Sequence, residues 1–193
     1  MKIISSLGIL ILLLILPECA NSQALDSGLA IGTDCPAFDP QHVSGPDKGT
    51  KACPMCKYGY QQGVMIWVND NDWVALSYIA KRLETEIEGR GLRKFRAFIM
   101  YMNPDSKPLP EVMKALSDFS ASLKLSRLAV TYIPSPTDEV TARLFEINPD
   151  KKIKNTVLIY KKRKVVGKII NQDPAHLSDL MATCDRLFSG PSL

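Results

Sequence analysis

Gly63-Val64-Met65-Ile66-Trp67-Val68, followed by Asn69-Asp70-Asn71-Asp72 and the periodic run that begins at Trp73, is the stretch that decides the fold. The apolar run Val64–Val68 reads as a strand buried on both faces. The Asn/Asp cluster behind it carries side-chain oxygens suited to the exposed amides of a helix's first turn. Trp73, Leu76, Ile79, Ala80, Leu83 and Ile87 then recur at helical spacing until Gly89-Arg90-Gly91 stops the pattern.

Downstream the alternation continues. Phe95 to Met102 reads as a strand, and Pro110 opens a helix with Val112, Met113, Leu116, Phe119 and Leu123 on one face. Leu128 to Ile133 is a third strand. Ser135-Pro136-Thr137-Asp138 has the form of a capping box with proline at the first helical position, and predicts a short helix through Phe145. Thr156–Tyr160 and Val165–Ile170 are β-rich runs joined by Lys161-Lys162-Arg163-Lys164, a hairpin whose turn lacks the usual Gly or Asn. Asp173-Pro174 starts a last helix with Leu177, Leu180, Met181, Cys184, Leu187 and Phe188 as its apolar stripe. From Val64 the order is β-α-β-α-β-α-β-β-α.

Upstream the character changes. From Leu25 to Gly63 the chain is rich in Gly, Pro, Asp and Ser, and it carries Cys35, His42, Cys53 and Cys56. Before that, Lys2 precedes an almost wholly apolar stretch from Ile3 to Leu16, and Pro17, Glu18 and a small-x-small site at Ser22-Gln23-Ala24 follow. That is the layout of a secretory signal peptide, too short to span a bilayer. A lipid anchor on Cys19 is the lesser alternative, because Glu18 stands where such a signal has a small residue. The sequence thus divides into a signal peptide at 1–24, an irregular segment at 25–62 and one domain at 63–189. An exported protein, periplasmic or secreted, is expected, with no membrane span once the signal is removed.

The formal net charge is +4, and loss of Lys2 and Glu18 with the signal leaves it unchanged. So mild a charge gives no indication of nucleic acid. No repeat, heptad run or low-complexity tract is present. Four cysteines remain after the signal, enough for disulfides in an oxidising compartment.

Cys53-Pro54-Met55-Cys56 is the motif that carries chemistry. In a Cys-x-x-Cys pair one thiolate attacks a disulfide and its neighbour resolves the mixed intermediate. Such a pair usually follows a buried strand and opens a helix. Here it precedes the strand, and Lys57 to Gly63 reads as loop.

The element order resembles the thioredoxin-like fold, in the variant of peroxiredoxins and TlpA-like exported redoxins, over about residues 36–188. Pro36-Ala37-Phe38 resembles the Ala-Pro-x-Phe lead-in of those redoxins, and Gly63–Val68 resembles the strand that leads to their active site. His42–Thr50 with Cys53–Gly59 is similar to a segment of bacterial exported proteins described only as thioredoxin-like. The resemblance implies an α/β three-layer sandwich with a central mixed sheet, and an irregular, cysteine-bearing N-terminal extension. Two parts of the family's site are missing. Its reactive cysteine would fall within Asn71-Asp72-Trp73-Val74-Ala75, which holds none, and its cis-proline would fall in Lys154-Asn155-Thr156, which holds no proline.

Three readings of the pair stand. The first is a displaced redox pair, with Cys53 and Cys56 catalytic and Lys51 and Lys57 favouring thiolate. It needs no cofactor, and its partners are protein thiols and disulfides or another redox protein. The second is a zinc-like site, since Cys53 to Gly59 is similar to a zinc-ribbon knuckle and Cys35 and His42 complete a Cys₃His set. The third is a structural disulfide pinning the N-terminal segment of a non-catalytic binding module. Other candidates are weaker. His42 taken alone reads more readily as a loop histidine than as a chemical group, His176 faces solvent, Cys184 behaves as a small hydrophobe, and Lys161–Lys164 is a solvated hairpin tip. The expected function is thiol–disulfide redox work through Cys53 and Cys56.

Overall fold

The computed structural model describes residues 25–190, so the segment expected to be a signal peptide, with Cys19, lies outside the described residues. Its centre is one six-stranded sheet in the order β1-β4-β3-β2-β5-β6. The apolar run forms β2 (Gln62–Val68), parallel to β3 (Arg96–Tyr101), which is parallel in turn to β4 (Ala129–Tyr132). On the other side β5 (Asn155–Lys161) pairs antiparallel with β2 and forms a hairpin with β6 (Lys164–Ile170). A two-residue strand β1 (Gln41–His42) pairs antiparallel with β4 at the far edge. With partners on both sides, β2 is central, and Val64 to Trp67 have no exposed surface.

Strand alternation splits the core in two. Val64, Ile66 and Val68 point with Ile99 and Val130 towards one face. That face is covered by α2 (Trp73–Arg90), α3 (Leu109–Ser122) and α4 (Leu177–Ser189), the last preceded by a 3₁₀ turn at Pro174–His176. The apolar stripes read from periodicity are the buried ones: Leu76, Ile79, Leu83 and Ile87 from α2, Val112 and Leu116 from α3, Leu180 and Cys184 from α4. Helix α2 ends at Gly91, whose φ of +82° is open to glycine at no steric cost. Glu84, nearly buried on α2, joins helix to sheet by accepting the amides of Ser126, Arg127 and Leu128 just before β4.

The opposite face carries Met65, Trp67, Phe98, Met100, Leu158 and Tyr160. No long helix covers it among the described residues. Its cover is the N-terminal segment, through Leu29, Cys35, Phe38, Met55 and Tyr58, together with the stretch from Ile133 to Ile147. Phe38, Trp67 and Phe145 meet here, with ring centroids 4.7–5.8 Å apart. Backbone bonds stitch the segment down along its length: Gly28 N–H to Glu146, Gly32 N–H to Val165, Cys35 N–H to Arg163 and Val43 N–H to Val130.

Three local expectations are corrected. The predicted short helix from Ser135 to Phe145 is a succession of turns. Its cap is Asp138, which accepts the Thr141 amide at 2.7 Å, and the bonds that follow reach back three, four and five residues. No regular ladder forms because Ala142, Phe145 and Ile147 are drawn separately into the sheet face. Second, the stretch after the cysteine pair is not all loop, since Pro54–Tyr58 forms a short helix, α1. Third, the basic hairpin tip is not simply solvated. Lys161 Nζ donates to the carbonyls of Phe188 and Gly190 at 2.8 and 2.7 Å, closing the end of α4. Lys162 and Arg163 both take positive φ, 51° and 68°, the geometry of a two-residue hairpin loop without its usual residues. Their amides are held by the carbonyls of Gln61 and Gly59.

Candidate functional site

Helix α1 begins at the cysteine pair. Cys53 is its N-cap and Pro54 its first residue, where the missing N–H costs nothing. Cys53 and Cys56 are joined as a disulfide with Cα atoms 5.3 Å apart. The Cys56 amide donates to Cys53 Sγ at 3.0 Å. Cys53 is half-buried and packs against the second-face core, while Cys56 is exposed. Met55 and Tyr58 are the residues that sink α1 into the sheet.

Both ends of this segment are fixed. At its start, His42 in β1 hydrogen-bonds through Nε2 to the carbonyl of Ala52, the residue before Cys53, at 2.8 Å. His42 is buried, and burial holds its ring below the ordinary histidine value in spite of that bond and of Asp47 nearby. At its end, the Gly59 carbonyl accepts the Arg163 amide at 2.6 Å. A side chain at Gly59 would lie 2.4 Å from the Met55 oxygen and 2.8 Å from the Arg163 side chain, so the approach requires glycine.

Between these ends sits a charge cluster. The carboxylate of Asp47, from the Gly/Pro loop, is buried and accepts both Lys57 Nζ and the Tyr58 hydroxyl, the latter at 2.7 Å. Burial alone would raise its pKa, but the hydrogen bonds from Lys57 and Tyr58 outweigh it and hold the group below the usual value. Lys57 is raised in turn, chiefly by its bond to Asp47. Burial and the bond to Asp47 push Tyr58 up. The Arg96 guanidinium lies 3.9 Å from the centre of the Tyr58 ring. Of these residues the sequence signals only Lys57 and His42. Asp47, Tyr58, Arg96 and Arg163 act through tertiary contacts that leave no local pattern.

The other two cysteines are sealed. Cys35 and Cys184 are fully buried and unpaired, and burial pushes each thiol up to about 12. The alternative zinc set of Cys35, His42, Cys53 and Cys56 is not assembled. Cys35 is tied to the β5–β6 turn, His42 lies in β1 at the opposite edge of the sheet, and the pair is bonded to itself. Among the described residues no group of three His, Cys, Asp or Glu side chains converges as a metal site. His176 is exposed, as read.

The position used by the resembling redoxins lies on the other face, after the last residue of β2. Asp72 there accepts the Ala75 amide at 2.9 Å and caps α2. Asn69 donates to the carbonyls of Pro149, Asp150 and Ile153, and Asn71 accepts the Tyr101 hydroxyl. At the place of the family's proline, Asn155 is zipped to Gln172 by two bonds of 2.9 and 3.2 Å. An open cavity of about 320 Å³ beside it is bounded by Asp70, Asp72, Lys154 and Asn171, with no thiol.

No protein-family model matches the chain, and no curated protein matches it in sequence. Solved structures do match. An uncharacterized conserved protein from Geobacillus kaustophilus is 16% identical, with 86% of each chain covered and a TM-score of 0.63. A peroxidoxin from Mycobacterium tuberculosis is 14% identical over 85% of this chain and 99% of its own, with a TM-score of 0.58. A peroxiredoxin-like protein from Aquifex aeolicus is 15% identical over 84% and 90%, with a TM-score of 0.56. The fold is therefore thioredoxin-like.

Proposed function

We propose that this is an exported thioredoxin-fold protein, periplasmic or secreted, that exchanges electrons with protein thiols and disulfides through Cys53 and Cys56. One observation carries the reading. Of four cysteines among the described residues, two are sealed in the core and two form a disulfide in which Cys56 is exposed. Exchange needs access above all, and the pair alone has it. The likeness in fold to a peroxidoxin and a peroxiredoxin-like protein is in keeping with this chemistry. Export rests on the N-terminal signal layout, and its check is the N-terminus of the protein recovered from culture medium or periplasm.

The competing reading is a non-catalytic binding module whose disulfide is a staple. Ring size weighs against it, because with a sequence separation of 3 the bond restrains the unfolded chain by only about 2 kcal/mol. The reduction potential of the mature protein separates the two. A value above roughly −230 mV supports a working exchange pair, and one below about −300 mV is that of a structural bond. Exchange activity that survives in the Cys53→Ser, Cys56→Ser double variant overturns the assignment to these residues.

A further inference from the structure

Resting on that reading, we propose that the disulfide is opened at Cys56. The sulfur of Cys56 is the one that enters mixed disulfides with a partner protein, and Cys53 is the leaving and resolving thiolate. Two observations carry this. Cys56 is exposed on α1, whereas Cys53 is half-buried against the core that holds Met55 and Tyr58. The Cys53 sulfur already accepts the Cys56 amide at 3.0 Å, so a hydrogen-bond donor is in place for the negative charge it takes up on leaving. Rates of exchange depend on which sulfur can be reached and on how well the departing thiolate is stabilised. Here both point the same way.

The step balances as follows. A thiolate of a partner protein dithiol, its proton lost to solvent, attacks Cys56 Sγ. A bond forms between partner sulfur and Cys56, the Cys53–Cys56 bond breaks, and its electron pair stays on Cys53. The partner's second thiolate then attacks its own bridged sulfur and releases Cys56 as thiolate. The partner is oxidised to its disulfide and the pair reduced to two thiols, which take protons from solvent. The reverse sequence, from a partner disulfide, begins with the Cys56 thiolate as nucleophile.

Cys56 also has a setting that selects partners. Lys57 follows Cys56 directly and is about half exposed, with its charge balanced by Asp47. Lys51, exposed, lies just before the pair. With Lys57 paired to Asp47, the basic residue left beside the pair is Lys51, whose charge favours the ionised form of an approaching partner thiol.

The test uses the mature oxidised protein and two single variants. With the unsubstituted protein, brief exposure to reduced glutathione, acid quench and peptide mapping should place glutathione on Cys56 with Cys53 free for alkylation. With oxidised glutathione, the thiol left in Cys53→Ser should react at least about tenfold faster than the thiol left in Cys56→Ser. Glutathione mapped to Cys53, or equal rates in the two variants, overturns the proposal while the redox reading stands. A folded protein whose disulfide is inert to glutathione and to a protein dithiol overturns both. The unsubstituted protein decides the matter even where a serine variant fails to fold.

Discussion

Replacing Asp47 with Ala should destabilise the protein by about 2–3 kcal/mol, most of it through Tyr58. The carboxylate is only 7% exposed and serves two donors. Lys57 is 53% exposed, so its ion pair contributes at most about 1 kcal/mol. The Tyr58 hydroxyl is a different case, because Tyr58 is buried and its oxygen bonds to the carboxylate at 2.7 Å. A buried hydroxyl that loses a charged acceptor costs about 1.5–3 kcal/mol. Tyr58→Phe removes the donor instead and keeps the ring on Phe98 and under Arg96. A double-mutant cycle of Asp47→Ala and Tyr58→Phe, read by urea unfolding at pH 7, should show a coupling of about 1.5 kcal/mol. The sign with pH follows from the depressed carboxylate. Its contribution is present above 3.8, the unfolded value, and is lost as pH falls through the lower folded value. A coupling below about 0.5 kcal/mol at pH 7 would refute the reasoning and leave α1 held by packing alone.

His42, held neutral by burial, should make stability fall as pH drops below 6.5, since the unfolded chain then takes up the proton first. His42→Asn should flatten that slope, checked by urea midpoints at mildly acidic and neutral pH, and an unchanged slope would reject the assignment. Asp72→Ala should cost about 1 kcal/mol through the lost cap and leave disulfide exchange unchanged. A large loss of exchange without loss of stability would make that position catalytic. At the hairpin tip, Lys162→Asn with Arg163→Gly should raise stability by about 1 kcal/mol by relieving two positive φ angles, measured by thermal unfolding.

The helical face was legible because its burial is periodic. Leu76, Ile79, Leu83 and Ile87 announce α2 by spacing alone, and Val64–Val68 announces a doubly buried strand by having no polar gap. The second face was not legible. Cys35, Phe38 and Phe145 cover it one at a time from irregular backbone, and Met55 and Tyr58 from a helix of only five residues, so no sustained period betrays them. The Ser135–Asp138 box misled for the same reason, since a valid capping pattern was overruled by what the sheet drew in afterwards. At the candidate site the two sulfurs could be named from sequence. Their unequal exposure could not, because it depends on which side of a five-residue helix meets the sheet. Nor could Asp47, whose loop reads as solvent-exposed until Lys57 and Tyr58 close over it.

The bonds that fasten the N-terminal segment bear on how the chain folds. Gly59 finds Arg163, and Cys35 the same turn, across roughly a hundred residues of sequence, the kind of contact that forms late and slowly. The Cys53–Cys56 bond, by contrast, spans a separation of 3 and asks nothing of the rest of the molecule. The pair can therefore be oxidised on an unfolded chain, before the hairpin that will hold it exists. Closure of the second layer waits for the C-terminal strands, and until then the aromatic face of Trp67 and Phe98 stands open. The layer that holds the cysteine pair is thus the one that closes on long-range contacts, and folding delay and aggregation risk both reside there.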